Sequence, residues 1–197
     1  MCGYDHFCTI PRFELVDRCY VCLVLLRGNL TRHAFLRSRS PSMGGPSMLI
    51  SIRQATLADI ETLFELMCLM QLDDPWEEHF DEPTVSANLA ELLQNPVYGL
   101  AFIVRENSSS PIGYLVICFD YSLEYRGIGA WVDELFVERA HRGKGIGTQL
   151  LDLAEQASRE HQAKVLHLEV NHGNPAIELY RRRGFSDHHR YLLSKPL

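Results

Sequence analysis

Long apolar runs are scarce in this chain. The run "YVCLVLL" at residues 20–26 falls far short of the about 20 residues that cross a bilayer as a helix. It is also too short, too late and too closely preceded by acids to be a secretory signal. The sequence therefore reads as neither secreted nor membrane-spanning, with the cytoplasm as the expected location. Positive charge is scarce as well: 19 Lys and Arg stand against 25 Asp and Glu, a formal net charge of −6. General nucleic-acid binding needs a basic footprint, so no nucleic-acid partner is expected. Of six cysteines, Cys2, Cys8, Cys19 and Cys22 fall near the amino end and give one isolated CxxC without zinc-ribbon spacing. Cys68 and Cys118 sit inside apolar segments and read as small buried hydrophobes. The histidines show no ligand spacing, and no metal is expected. Internal repeats and a P-loop GxxxxGK[ST] are also missing.

What is present divides into two kinds of sequence. Residues 1–47 carry a net charge of +3, show no sustained period and end in "RSRSPSMGGPS", a linker composition. They are expected to be a poorly ordered extension or an upstream addition from a misassigned start. The remainder carries −9, and order begins abruptly at Met48, so the folded domain is expected to run over 48–197. Ile50 and Ile52 alternate with polar residues as in a strand. Thr56 can cap a helix with Asp59 three residues on, and Ile60, Leu63, Phe64, Leu66 and Met67 share one helical face.

The patterning further along predicts a second helix near Thr84–Gln94, then strands at "GLAFIVRE" and "IGYLVICFD" around the turn "NSSSP". The connection "EYRGIGA" leads to a third apolar run, "WVDELFV". A glycine-rich stretch, a helix to about His161 and the strand "KVLHLEVN" follow. "NPAIELYRRRGF" reads as a helix with Asn174 as N-cap, Pro175 at the first position and Gly184 just past the end. "RYLLSK" reads as a last strand. The elements describe an α/β chain, more closely an α+β mixed sheet, with helices on both faces.

The stretch "HRGKGIG", His141–Gly147, joins an apolar strand to a helix. Unpaired N–H groups and a partial positive charge collect at a helix N-terminus, and glycine lets a ligand approach the backbone there. Strand, glycine turn and helix together make an anion cradle suited to phosphate, with Arg142 and Lys144 adding charge. A dinucleotide-binding GxGxxG would follow a first strand inside a βαβ unit, which is not the setting here. A tight turn that merely needs glycine is the plainer alternative.

Read as R-x-x-G-x-G, the residues Arg142, Gly145 and Gly147 resemble the pyrophosphate loop of the GNAT superfamily of acyl-CoA N-acyltransferases. Asn174, Ala176, Leu179, Tyr180, Gly184 and Phe185 are similar to that family's N-x-x-A-x-x-L-Y-x-x-x-G-F signature. The opening "IRQATLADIETL" is similar to the family's usual start. The resemblance covers about residues 48–193 and none of residues 1–47. It implies a central, mostly antiparallel sheet with helices on both faces, and acetyl-CoA or another acyl-CoA as co-substrate.

By the same resemblance the pyrophosphate rests on Arg142, Gly143, Lys144, Gly145, Ile146, Gly147 and Thr148. The pantetheine arm lies between splayed strands and pairs with backbone at Leu135, Phe136 and Val137. Asn174 either contacts that arm or only caps its helix. Tyr180 is the candidate proton donor to the departing thiolate, against a plain packing role. An attacking amine with a pKa near ~10 is mostly protonated at neutral pH, so a base must take its proton. Asp133 and Glu134 are the candidates, adjacent acids in an apolar strand where buried charge is costly. Strand alternation sends one of them to the cleft, Glu134 having the longer reach, unless a bulge alters the parity.

The acceptor is expected to be a primary amine of a small cationic molecule or a peptide. "DDPWEEHFDEP" holds six acids that could attract a cation, with Trp76 and Phe80 beside its methylenes; a solvated acidic loop is the plainer reading. "EYRGIGAW" is expected to form a neighbouring hairpin edge. A catalytically silent acyl-CoA sensor and an interaction module are the competing functions, and a homodimer is possible for this family.

Overall fold

The structure is a computed structural model that describes residues 49–195 apart from 76–79 and 108–109. The expected boundary at Met48, the four amino-terminal cysteines, and Trp76, Glu77 and Glu78 lie outside the described residues. So do parts of the "NSSSP" turn.

Strand β1 (Ile50–Gln54) is followed by a 3-10 turn at Leu57–Asp59 and helix α1 (Ile60–Gln71). Asp59 organises this start. Its carboxylate accepts from the Thr56 N–H and hydroxyl, each at 2.9 Å, and from the Arg53 guanidinium at 2.5 and 2.8 Å. This is the expected Thr56–Asp59 capping box, reinforced by an arginine that the local pattern does not reveal. The Arg53 guanidinium, then the Thr56 donors, hold the Asp59 carboxyl down at about 2 against the opposing effect of burial. A depressed folded-state pKa stabilises above the unfolded value. That contribution is therefore complete above about pH 4 and disappears as pH falls through about 2. Asp59→Asn is expected to cost about 2 kcal/mol at pH 7, a value moderated by the partial exposure of Arg53. Denaturant midpoints of the two proteins should differ at pH 7 and converge near pH 2.

Helix α2 (Glu82–Gln94) leads into three antiparallel strands, β2 (Gly99–Glu106), β3 (Pro111–Ser122) and β4 (Gly127–Val137). The helix begins two residues before the expected Thr84, because the Asp81 carboxylate caps it by accepting from Thr84 N–H at 3.1 Å. Gly127–Ala130, read in the sequence as a connection, are the start of β4, so β3 and β4 form one long hairpin.

Helix α3 (Ile146–Glu160), strand β5 (Val165–Leu168) and helix α4 (Ile177–Arg182) complete the order. The sheet runs β1-β2-β3-β4-β5, antiparallel except for the parallel β4–β5 pair. The mixed sheet is thus mostly antiparallel, as the resemblance implied. On one face Leu63, Leu66 and Met67 of α1 and Val85 and Leu89 of α2 pack on Ile103, Tyr114, Val116 and Phe136. On the other, Ile146, Leu150, Leu151 and Ala154 of α3 cover Val104, Leu115, Ile117, Ala130 and Val132.

Two expectations at the carboxyl end are corrected. "KVLHLEVN" contributes only Val165–Leu168 to the sheet. "RYLLSK" is not a strand: Tyr191–Lys195 carry no regular structure, and Tyr191 and Leu193 are 94% and 89% exposed. The chain turns just before them. The Asp187 carboxylate accepts from His189 N–H at 2.7 Å and His189 adopts a left-handed φ of 52°, a local turn that apolar composition does not override.

β4 and β5 pair only over Gly129–Val132 and Val165–Leu168. Beyond Val132, β4 continues to Val137 without a β5 partner among the described residues. The two strands part at the end where the glycine loop begins.

Candidate functional site

The loop after β4 has the backbone that its glycines permit. A 3-10 turn over Arg139–His141 passes into Gly143 at φ 75° and Gly145 at φ 82°, and Gly145 forms the N-cap of α3. A side chain at either glycine would be strained by this left-handed backbone. A Cβ at either position would meet nothing within 4 Å, so the space above the loop is open. The opening N–H groups of α3, at Ile146, Gly147 and Thr148, have no acceptor within their own helix. The buried Ile146 anchors the loop to the core. Gly147 places its Cβ position 3.3 Å from Leu179 Cδ2, so α3 and α4 meet closely there. Unpaired donors, open space, a helix N-terminus and the exposed Arg142 and Lys144 make a cradle that fits a pyrophosphate.

Arg142 does more than supply charge. Its Nε donates to the Val137 carbonyl at 2.7 Å, and its guanidinium lies 5.8 Å from the Phe136 ring centroid. Arg142 also pairs with Asp73, as does Arg139. These two cations, Arg139 foremost, lower the Asp73 carboxyl. The adjacent Asp74 accepts from Asn171 Nδ2 at 2.8 Å. The loop after α1 thus reaches both sides of the parted strands, Arg139 and Arg142 after β4 and Asn171 after β5. From the sequence these acids could either attract a cationic amine or form a solvated acidic loop. Asp73 and Asp74 instead tie elements together, and Asp81 caps α2.

The paired acids of β4 are separated by a bulge. Val116 of β3 faces Glu134 and Ile117 faces Val132, which leaves Asp133 as the extra residue. Glu134 is 9% exposed and takes a hydrogen bond from the Tyr114 hydroxyl, which also lies 3.1 Å from Met70 Sδ. Burial, followed by the negative charge of Glu134, pushes the Tyr114 phenol well up. Asp133, by contrast, is exposed on one side. Even so, enough protein crowds it that desolvation raises its carboxyl, opposed by a hydrogen bond from the Cys118 thiol. That thiol is pushed up to about 12, by burial first and then by Asp133. Cys118 was expected to be an inert apolar filler; its bond to Asp133 depends on a β3–β4 register that no local pattern reports.

Tyr180 lies on α4, packed against the α3-side core with its ring edge-on to Phe185 at 6.1 Å. Burial, then the charge of Asp74, raises its phenol. α4 begins at Ile177, later than expected. Asn174 caps the preceding turn by accepting from Ala176 N–H at 2.9 Å, and Pro175 belongs to that turn. Gly184 ends the helix at φ 91°, where Phe185 N–H returns to the Tyr180 carbonyl at 3.1 Å.

A separate cavity lined by Gln54, Leu100, Phe102, Ala157 and His161 contains none of these residues. Among the described residues no group of three or more His, Cys, Asp or Glu is placed to hold a metal ion. Likewise, no helix among them is long and apolar enough to cross a membrane.

Comparison with known proteins places residues 63–185 in a match to the acetyltransferase (GNAT) family model. An uncharacterized N-acetyltransferase of Methanocaldococcus jannaschii is 33% identical over 89 residues, 44% of this chain and 39% of that protein. A streptothricin acetyltransferase of Streptomyces lavendulae is 46% identical over 56 residues, 28% of this chain and 30% of that protein. The chain thus spans well under half the length of these two curated relatives. A solved structure of a predicted acetyltransferase with acetyl-CoA from Clostridium acetobutylicum superposes with a TM-score of 0.64 at 22% identity. It covers 75% of this chain and 96% of the other.

Proposed function

Since the chain belongs to the GNAT acetyltransferase family, we propose that its domain from Met48 onward transfers an acetyl group from acetyl-CoA to a primary amine. The observation that carries this reading is the open cradle at Gly143–Thr148, set where β4 and β5 part. When bound, acetyl-CoA supplies an activated acyl carbonyl. Arg142, Gly143, Lys144, Gly145, Ile146, Gly147 and Thr148 hold its pyrophosphate through backbone N–H groups and charge. The backbone of Leu135, Phe136 and Val137, free of β5, receives the pantetheine arm. Asn174 fixes the turn before α4 with its carbonyl oxygen and offers its NH₂ group to the same arm.

Asp133 is the base. A base must reach the amine proton, and Asp133 is the accessible acid of the pair. Its carboxyl is raised by desolvation, which strengthens it as a proton acceptor near neutral pH. Glu134 is a positioning residue, holding the Tyr114 hydroxyl behind the bulge. Tyr180, whose phenol is raised by burial, is protonated at neutral pH, as a donor to the departing thiolate must be.

Asp73 competes with the pyrophosphate for Arg142 and Arg139. Asp73→Asn is expected to tighten CoA binding a few-fold, in keeping with the roughly 1 kcal/mol or less of such exposed pairs. Isothermal titration with CoA checks this; a weaker Kd would mean that Asp73 only shapes the loop.

The activity itself is tested by thiol release from acetyl-CoA, with the full chain and a panel of primary amines. Amine-dependent release is expected. Tight CoA binding without release for any amine, unaffected by Tyr180→Phe or Asp133→Asn, would support a silent acyl-CoA sensor instead.

A further inference from the structure

The β3–β4 hairpin continues past Asp133 into a face that the proposed chemistry does not use. Trp131 precedes the bulge by two residues and pairs across the sheet with Cys118 on one side and His167 on the other. Its indole lies 4.7 Å from the His167 ring at 35°, and Tyr125 meets the same imidazole edge-on at 5.2 Å. The indole N–H donates to Asp120 Oδ2 at 3.2 Å. The other oxygen of Asp120 occupies the place where a Cβ on Gly129 would stand. Glycine at 129 is what lets an exposed carboxylate lie across β4 against the indole.

We propose that Asp120, Trp131 and Tyr125 form a subsite for a second ammonium group on the acceptor, which makes the preferred substrate a di- or polyamine rather than a monoamine. The proposal rests on acyl transfer at Asp133 and names the substrate class of that site. Three observations carry it. Trp131 lies on the same strand as the base, two residues or about 6–7 Å away, a separation that a flexible alkyl di- or polyamine can span, and Asp120, on the neighbouring β3 opposite Gly129, accepts from its indole N–H. The ring between Trp131 and Tyr125 adds aromatic surface, and desolvation lowers the His167 imidazole below its ordinary value, which disfavours a positive charge there. A cation is already drawn to this edge. Arg190, exposed like the rest of the carboxyl-terminal segment, reaches both oxygens of Glu124 at 3.2 Å, next to Tyr125. A carboxylate beside aromatic rings is a chemically sound ammonium site, since charge and ring quadrupole act together.

The full chain is assayed with saturating acetyl-CoA and either spermidine, putrescine or n-butylamine. In parallel, spermidine binding is followed by isothermal titration without acetyl-CoA. The expected kcat/KM is at least tenfold higher for spermidine and putrescine than for n-butylamine, with the advantage shrinking as salt is added. Asp120→Asn keeps an acceptor for the indole N–H and removes the charge. It is expected to reduce that ratio severalfold or more, and to weaken spermidine binding to the same degree. Trp131→Phe should lower the ratio less, since it retains a ring. Equal kcat/KM for diamine and monoamine, or an Asp120→Asn ratio equal to wild type, overturns the subsite. If no amine is acetylated yet spermidine binds in an Asp120-dependent way, the subsite stands and acetyl transfer fails. If spermidine neither binds nor reacts preferentially, the subsite falls whatever the activity toward other amines.

Discussion

Asp133→Asn is expected to lower kcat by about 10²–10⁴-fold, the usual range for loss of a positioned general base. The amide matches the carboxylate in size, and its carbonyl can still accept from the Cys118 thiol, so the bulge and the fold should survive. CoA affinity should change little, because the cradle lies beyond the end of β4. The pH profile separates a base from a structural acid. In the wild type, kcat/KM should fall as pH drops through the raised pKa of Asp133. In the variant that acidic limb should disappear. Cys118→Ala offers a control: without the thiol bond that lowers the Asp133 carboxyl, the acidic limb should move to higher pH while the protein stays active. Glu134→Gln should act differently. Glu134 is buried and bonded to Tyr114, so its loss is expected to reduce the melting temperature first and kcat second.

The second large effect is expected at Tyr180. Tyr180→Phe removes one oxygen and leaves the ring that packs edge-on to Phe185. Folding should therefore be unaffected, and kcat should fall on the order of 10²-fold as the departing thiolate loses its proton donor. A diagnostic follows from leaving-group chemistry. Acetyl thioesters whose thiols have lower pKa need the donor less, so the loss should shrink with such donors. A deficit equal for all donors, or a lower melting temperature, would assign Tyr180 to packing.

Much of this was readable from one chain because the signals are local. The α1 start follows from Thr56 and Asp59, whose spacing alone permits the capping box seen there. The cradle follows from Gly143 and Gly145, since few other residues tolerate a left-handed backbone at a helix start, and from Gly147, which lets α3 approach Leu179 closely. The α4 stop at Gly184 has the same cause. What was not readable depends on residues distant in sequence. The bulge that exposes Asp133 and buries Glu134 is a property of the β3–β4 register, and the longer reach of Glu134 pointed the wrong way for accessibility. Asp73 meets Arg142 across 69 positions, so it looked like one more solvated acid. Arg53 looked equally ordinary until folding placed it on Asp59. "RYLLSK" has the composition of a strand, but pairing needs a neighbouring edge in register, and the turn at Asp187–His189 directs the segment elsewhere.

The central claim, that "HRGKGIG" is an acyl-CoA cradle and not only a turn, is tested most directly by thermal melting of the full chain with acetyl-CoA, CoA or NADH. A ligand of the native state raises the melting temperature by mass action, about 2.7 kcal/mol at a hundredfold excess over Kd. For a domain of this size that is a shift on the order of 5 °C or more. The account predicts such a rise with acetyl-CoA and with CoA, and none with NADH. A well-folded protein whose melting temperature is unchanged by either CoA species would contradict it, and the glycines would then serve the turn alone.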